Sequence, residues 1–298
     1  MLSRPSGSAF VRALTNVLWS ALLLIAASNA SGRAEDAPQA SSGEQAAQQA
    51  RAAAAARGGP PQGWTKEFGA ALIANPEFNG SSSYNLIPVP YFDFRYFDRQ
   101  GLKHFANVPQ GLGTYFYRDG NPTSGRTAAF VSIAPGFANR DPDSDDLDGL
   151  DTFGPSIEAR LGIEYSIRAW SFNATVAQAL ATGHEGLYVD LSASYQQRFG
   201  SSSFFSIGPN LRIGNEQYMD AFHSVTVRES ERTGLAPFEA GSGVEQLGFR
   251  GVLSVPVAGQ WRLTSVLGLS FLHGDADDSS LSEETTQAFF LTALTRQF

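Results

Sequence analysis

The 298-residue sequence contains no cysteine and only four histidines. Without cysteine, the chain can form no disulfide, thiol nucleophile or thiolate metal site. The histidines are too few and too scattered to predict a metal site. The sequence also lacks a Gly-x-Ser-x-Gly elbow, a phosphate-binding loop and a dinucleotide fingerprint. We therefore expect no cofactor, and no local motif indicates an enzyme class.

Basic charge and long apolar segments are also scarce. The formal net charge of -8 argues against a nucleic-acid partner, which would need a basic patch. Beyond the N-terminus, no apolar run is long enough for a membrane-spanning helix. Near the N-terminus, Arg4 and Arg12 accompany an apolar run that ends in small residues. This pattern predicts an export signal over residues 1–30, with cleavage after position 34 as the alternative.

The next segment, residues 31–63, is rich in Ala and Gln. Such a composition buries too little apolar surface to fold alone, so it predicts a disordered periplasmic tail. Residues 64–298 then form the predicted folded domain, which contains most of the 30 glycines and 22 phenylalanines of the chain.

Alternating side chains dominate the folded domain. Leu187–Phe199 alternate apolar and polar residues almost without interruption, and Phe205–Ile213 repeat the pattern after a short turn. Pro155–Arg168 alternate in the same way and place four charges on one face. Strands of about ten residues with one apolar and one charged face are typical of barrels that cross about 25 Å of hydrocarbon. The sequence therefore predicts an all-β, transmembrane antiparallel barrel.

The number of strands depends on residues 102–118. Counted as two short strands, they give twelve strands in total, with both termini and the short turns in the periplasm and the long loops outside. Counted as one strand, they give eleven and place the acidic loop at residues 141–149 on the wrong side. We predict twelve strands, with ten as the alternative.

Charged side chains on the polar faces of the strands are expected to point into the barrel. The predicted lumen charge network consists of Glu158, Arg160, Glu164, Arg168, Asp190, Arg198 and Arg212. Buried charges need partners, so one interpretation is a cross-strand network that fills the barrel. The other is a narrow, charge-selective pore, which a barrel of this size also allows.

The acidic loop resembles the start of a calcium-binding loop, because Asp141, Asp143 and Asp145 alternate there. However, Asp146 occupies the position that needs Gly, and Thr152 the position that needs a bidentate Glu. We therefore expect a solvated loop that contacts lipopolysaccharide through divalent cations.

Two histidines, His184 and His273, lie near the predicted outer ends of strands, with acidic residues nearby in sequence. An acid–base site at this rim would need a geometry that the sequence does not specify. We predict a non-enzymatic protein without catalytic residues.

The chain ends at Phe298 on an alternating strand that also carries Phe290 and Leu294 on its apolar face. A terminal aromatic residue in this setting resembles the signal that the outer-membrane barrel assembly machinery recognises. Arg296 departs from that signal, because an apolar residue is usual at its position.

Several short stretches, in order, resemble the MipA/OmpV family of outer-membrane proteins. They are Pro76–Ser81 with Tyr84, Pro88–Pro90, Gly183–Leu187, Ile207–Pro209, Tyr218-Met219, Ser230–Leu235, Phe238–Gly243 and Leu272–Ser279. Ala276–Ser280 depart mildly from the family, which usually has Ala-Asp-Ser-Pro there.

The resemblance implies an outer-membrane barrel that acts as a scaffold between a murein lytic transglycosylase and a murein polymerase. It brings no catalytic residues with it. The function we expect is therefore a cell-wall scaffold, and the alternative is a narrow porin-like channel for small solutes.

Overall fold

The computed structural model describes residues 62–121, 123–136, 140, 147–200 and 203–298. The predicted export signal and nearly all of the predicted tail lie outside these residues. The aspartates of the calcium-like sequence, Asp141, Asp143, Asp145 and Asp146, also lie outside them.

Twelve antiparallel strands form one closed barrel, which confirms the predicted fold class and strand number. The strands are β1 (Gly63–Pro76), β2 (Tyr84–Asp98), β3 (Gly101–Asn107), β4 (Gly111–Asn121), β5 (Gly125–Gly136), β6 (Ser156–Ile167), β7 (Trp170–Ala181), β8 (Leu187–Phe199), β9 (Ser203–Gly214), β10 (Gly243–Ala258), β11 (Trp261–Leu272) and β12 (Thr286–Gln297). Among the described residues, three short helices lie between strands: α1 (Glu216–His223), α2 (Val227–Thr233) and α3 (Asp275–Asp278). None of the described helices has the length and apolar character needed to cross a membrane.

The barrel closes between its first and last strands. β1 pairs with β12 in continuous register from Glu67 opposite Gln297 to Ala74 opposite Phe290. Every other strand pairs with its neighbours in the chain, so no strand of the closed sheet lacks a neighbour on either side. Closure satisfies the backbone hydrogen bonds that an open sheet would expose to lipid.

The two ends of the barrel differ. Turns of two or three residues join β2 to β3, β4 to β5, β6 to β7, β8 to β9 and β10 to β11, all at the end that carries the described termini. The other end carries the long connections, including residues 215–242 between β9 and β10 and residues 273–285 between β11 and β12. In outer-membrane barrels the short turns face the periplasm and the long loops face outward, so we call the two ends the periplasmic end and the outer end.

Because apolar and polar residues alternate along the strands, the barrel wall has an apolar outer face and a polar inner face. On β6, Leu161 and Ile163 are about half exposed on the outside, whereas Glu158 on the opposite face is buried. Aromatic residues gather on the outer surface near the periplasmic end, where Trp170 contacts Tyr195 with ring centroids 5.5 Å apart. Such aromatic side chains are typical of the belt at a membrane interface.

The hairpin of β3 and β4 is much shorter than the strands beside it. β2 pairs with β3 only over Asp93–Asp98, although its pairing with β1 continues to Tyr84. Pro88 and Pro90 lie on this outer half of β2, where no described strand pairs with its second edge. Proline has no N–H to donate, so it suits a strand edge that lacks a partner. The two prolines therefore fit a regular strand at this edge.

Arg160 braces the short hairpin from inside the barrel. Its guanidinium donates to the backbone oxygens of Pro109 and Pro135, each at 3.0 Å. Pro109 lies in the turn between β3 and β4, and Pro135 lies near the outer end of β5. This side chain thus connects the short β3–β4 hairpin to the longer strand β5.

Candidate functional site

Helix α1 lies in the outer mouth of the barrel. Asn215 caps its N-terminus by accepting a hydrogen bond from the backbone N–H of Tyr218 at 2.9 Å. The buried face of the helix carries Tyr218, Met219, Phe222 and His223, at a spacing that matches one side of a helix. Tyr218 packs against Tyr188 on β8, with ring centroids 5.2 Å apart. The helix therefore belongs to the interior of the protein, unlike an ordinary surface loop.

Glu245, at the outer end of β10, anchors this helix. Its carboxylate is fully buried and accepts hydrogen bonds from the Tyr218 hydroxyl at 3.1 Å and from Asn79 Nδ2 at 2.6 Å. His223 Nε2 lies 3.1 Å from Glu245 Oε1, and Arg212 Nε lies 3.9 Å from Oε2. A buried carboxylate needs such donors because burial without them is very unfavourable.

A second buried glutamate has a similar environment. Glu158 on β6 pairs with Arg160 at 2.8 Å and accepts from the Tyr188 hydroxyl at 2.9 Å. His184 Nε2 lies 3.6 Å from its other oxygen. Because His184 Nδ1 accepts the backbone N–H of Gly186, the proton of a neutral His184 is on Nε2 and faces Glu158.

Arg212 joins the two glutamate clusters. It forms a bidentate pair with Asp190, at 2.7 and 2.8 Å, and donates to the Tyr218 hydroxyl at 3.2 Å. Its guanidinium also lies over the ring of Tyr188, 4.2 Å from the centroid. We call α1 together with Glu158, Asp190, Arg212 and Glu245 the outer seal.

Above the outer seal, the long loops pack against one another. Phe78, Leu147, Leu150, Val225 and Leu281 come from four different connections and form one buried apolar cluster, which we call the loop cap. Long-range hydrogen bonds connect the same loops: Glu283 accepts from Ser82, and Asp275 accepts from Gly241. The described parts of these four connections thus form a packed layer at the outer end.

Glu229 on α2 fastens the loop cap to the loop between β5 and β6. Its carboxylate accepts from the backbone N–H groups of Asp151 and Thr226, and Arg140 lies 3.6 Å away. Burial by itself would raise the pKa of Glu229, but these hydrogen bonds and the Arg140 charge hold the pKa below its ordinary value of 4.5. Desolvation lowers the pKa of Arg140, against the opposing effect of Glu229.

The predicted lumen charges occupy three different settings. Four of them, Glu158, Arg160, Asp190 and Arg212, meet in or beside the outer seal. Glu164 lies nearer the periplasm and accepts from the Tyr115 hydroxyl at 2.8 Å. Arg168 lies exposed in the turn between β6 and β7, and Arg198 lies exposed near the end of β8. Neither arginine pairs with a described carboxylate.

Four central members of this site, Tyr188, Tyr218, His223 and Glu245, were not predicted from the sequence, whereas His184 was expected at the outer end of a strand and lies there. Part of the signal was present in the stretches that carry the family resemblance. Those stretches contain His184, Tyr218 and the cap residue Phe78, together with Ala240, which is buried beside α1. Positions far apart in the sequence converge at one end of the barrel.

The outer seal is a buried network whose two glutamates are satisfied, while His184 Nε2 and His223 Nδ1 have no hydrogen-bond partner among the described residues. Both glutamates are held by several donors, and His184 and His223 are 3% and 0% exposed, so substrate in solution does not reach them. His273 lies just beyond β11, where its backbone N–H donates to the backbone oxygen of Glu245 at 2.9 Å and the residue is exposed. In the described part of the chain, no three His, Asp or Glu side chains form a group that could hold a metal ion.

Comparisons with known proteins identify the family of the chain. The model of the family described as MltA-interacting protein MipA matches residues 68–298. No curated protein matches the chain. Among solved structures, the chain is similar to in-vitro folded OmpT, an outer membrane protein of Vibrio cholerae, at 7% identity and a TM-score of 0.35 over 79% of this chain and 96% of that one. The family match covers the whole described barrel except its first few residues, and this outer-membrane β-barrel therefore belongs to the MipA family.

Proposed function

We propose that this chain is a non-enzymatic outer-membrane scaffold whose periplasmic end binds a murein lytic transglycosylase and holds it beside a murein polymerase. The observation that carries the proposal is the outer seal, in which α1 lies across the mouth and is tied to the wall at Glu245. A barrel closed in this way is suited to anchoring a partner in the membrane. The family description, which names an interaction with MltA, supports a lytic transglycosylase as that partner.

The periplasmic end suits this role because it is the end that a periplasmic protein can reach. Its turns are short and the chain enters and leaves the barrel there. The strand ends at this rim are held in place by their pairing, and preorganised surfaces bind with a smaller loss of conformational entropy. The export signal predicted for residues 1–30 would deliver the chain to this compartment.

Binding of a purified murein lytic transglycosylase to the full-length barrel in detergent tests the proposal. The barrel is immobilised through an exposed position on the outer end, so that the periplasmic end stays free. We expect saturable binding of the transglycosylase and no binding of an unrelated periplasmic protein of similar charge. Equal binding of both proteins, or of neither, would contradict the scaffold function.

The alternative function, a narrow channel, makes an opposite prediction about conductance. A channel needs a continuous water path, and the packed contacts of α1 with Tyr188 and Glu245 obstruct that path. We therefore expect the wild-type barrel to show no regular unitary conductance steps in planar bilayers. Clear steps of one size would favour the channel.

A further inference from the structure

Charge is distributed very unevenly between the two ends of the barrel. In the described residues, the outer end carries five Lys or Arg and seventeen Asp or Glu side chains. The periplasmic end carries ten Lys or Arg and five Asp or Glu side chains, with Arg250 at mid-height of β10. A chain that is acidic as a whole thus has a strongly basic periplasmic end.

Ion pairs neutralise only part of this basic charge. Asp93 pairs with Arg95 at 2.6 Å, and Asp98 pairs with Arg118 at 2.7 Å. Arg99, Arg168 and Arg198 form no ion pair with a described carboxylate, whereas Lys103 and Arg126 interact electrostatically with Asp98 and Glu164, respectively, without a direct ion pair. The periplasmic end therefore keeps an excess of positive charge that is available to a partner.

Some of these cations face the lumen, and others lie on the rim. Arg126 donates to the backbone oxygen of Gln100 at 3.1 Å, and Arg262 donates to Ser254 Oγ at 3.1 Å on the inner face of the wall. Arg99 and Arg168 lie exposed in two of the short turns. We call Arg99, Lys103, Arg126, Arg168 and Arg198 the basic mouth.

We propose that the basic mouth docks an acidic surface segment of the periplasmic partner. This inference rests on the proposed scaffold function and adds the chemistry of the contact. Charge complementarity steers association and fixes the orientation of a partner more than it sets the final affinity. A scaffold that must hold an enzyme toward the murein layer needs such an orientation.

The placement of the cations favours a protein segment over membrane phosphates. Lys66 and Arg296 lie on the same outer face of the wall as lipid-facing Phe68 and Leu294, so these two can reach phosphate groups of the inner leaflet. In contrast, Arg126, Arg198 and Arg262 lie on the inner face of the wall, away from lipid. A soluble acidic segment can approach the lumen-facing and rim cations together.

A fluorescent dodecameric glutamate peptide is the probe, with the matched lysine peptide as its control. The full-length barrel in neutral detergent should bind the glutamate peptide at 50 mM NaCl, and the affinity should fall at least tenfold at 300 mM. The triple variant Arg99→Glu, Arg168→Glu, Arg198→Glu should weaken binding at least tenfold, because none of these side chains pairs with a described carboxylate. Failure of the wild type to bind the glutamate peptide would overturn the proposal.

Single substitutions provide a matched comparison. Arg168→Glu at the periplasmic end should weaken peptide binding several-fold, whereas Arg228→Glu, exposed on α2 at the outer end, should leave it unchanged. Equal effects of the two would show that net charge alone matters, and this would overturn the docking surface. Heat-modifiable migration of each variant on a denaturing gel checks that the barrel has folded.

Three further results distinguish failure of the basic mouth from failure of the scaffold function and from binding of the cations to lipid. If the glutamate peptide binds but the transglycosylase does not, the basic mouth is supported and the scaffold function fails. If the transglycosylase binds equally well to the triple variant at every salt concentration, the scaffold stands and the basic mouth is overturned. Loss of peptide binding in nanodiscs with phosphatidylglycerol, but not in phosphatidylcholine, would assign the cations to lipid and also overturn it.

Discussion

His223 Nε2 lies 3.1 Å from Glu245 Oε1, and both side chains are completely buried. His223 belongs to helix α1 and Glu245 to the barrel wall, so this contact fixes α1 to the wall. The same carboxylate accepts from Asn79 in the first outer loop. A single wall residue thus holds two outer connections in place.

Glu245→Ala should open the outer mouth. The substitution leaves Tyr218, His223 and Asn79 without their common acceptor, and breaking a buried ionic cluster by removing one partner typically costs about 3–5 kcal/mol. We expect α1 to leave the mouth and ion conductance to appear in planar bilayers. Glu185→Ala, at an exposed outer position, is the control. A Glu245→Ala barrel that shows no ion conductance and has unchanged stability would contradict the role of this contact.

Gly186→Ala should displace α1 by steric conflict alone. A Cβ at position 186 would lie 2.3 Å from the backbone N and Cα of Tyr218, atoms that cannot move without moving the helix. Overpacking of this kind costs about 1–3 kcal/mol or more. Hydrogen exchange at the backbone of α1 should become faster.

Gly154→Ala is the matched control for this prediction, because a Cβ at position 154 meets nothing within 4 Å. Hydrogen exchange in α1 should stay at its wild-type rate in that variant. Equal protection of α1 in the two alanine variants would show that the helix does not pack against residue 186 as described.

How far the sequence predicts this structure depends on the range of the contacts involved. The period-two pattern on β6 and β8 identifies strands because each side chain faces either lipid or the lumen, and that choice is local. The break at Val108-Pro109 likewise predicts the turn between β3 and β4. The strand count and the orientation of the loops follow from such local signals.

The outer seal depends on contacts that local patterns do not specify. The eight residues of α1 carry an apolar face too short to distinguish from an irregular loop, and their burial depends on Tyr188, thirty positions before Tyr218. Alternation also predicted an inward side chain at Arg198 but not its distance from a carboxylate. The sequence therefore indicates which face of a strand a residue occupies, whereas the residues that it contacts are determined by the three-dimensional fold.

The loop cap should lose stability in acid. The pKa of Glu229 is lower in the folded protein than its ordinary value of 4.5, so the ionised carboxylate stabilises the folded cap. This contribution is fully present above pH 4.5 and is lost as the pH falls through the lower folded value. Hydrogen exchange of α2, corrected for the intrinsic pH dependence, should show constant protection between pH 7 and pH 5 and weaker protection below pH 4.5.

Glu229→Gln tests the cause of that acid effect. It removes the charge that accepts from Asp151 and Thr226, and hydrogen bonds to charged groups contribute about 1.5–3 kcal/mol. The variant should lose protection at pH 7 and show little further change in acid, whereas Glu231→Gln, exposed on the same helix, should behave as wild type. Equal acid sensitivity of all three proteins would assign the effect to other carboxylates.

Phe298→Ala should impair assembly of the barrel in cells while changing the stability of the folded barrel little. The backbone N–H of Phe298 donates to the backbone oxygen of Lys66 at 2.9 Å. The Phe298 ring contacts the Phe68 ring, with centroids 6.0 Å apart, so Phe298 lies where β1 and β12 pair to close the barrel. Its ring is largely exposed, so its loss should change the unfolding free energy by about 1 kcal/mol or less. If the barrel assembly machinery recognises this terminal aromatic residue, outer-membrane levels in cells should fall several-fold while refolding in detergent stays efficient. Leu294→Ala, outward on the same strand, controls for lost apolar surface, and a parallel fall in both variants would contradict recognition of Phe298.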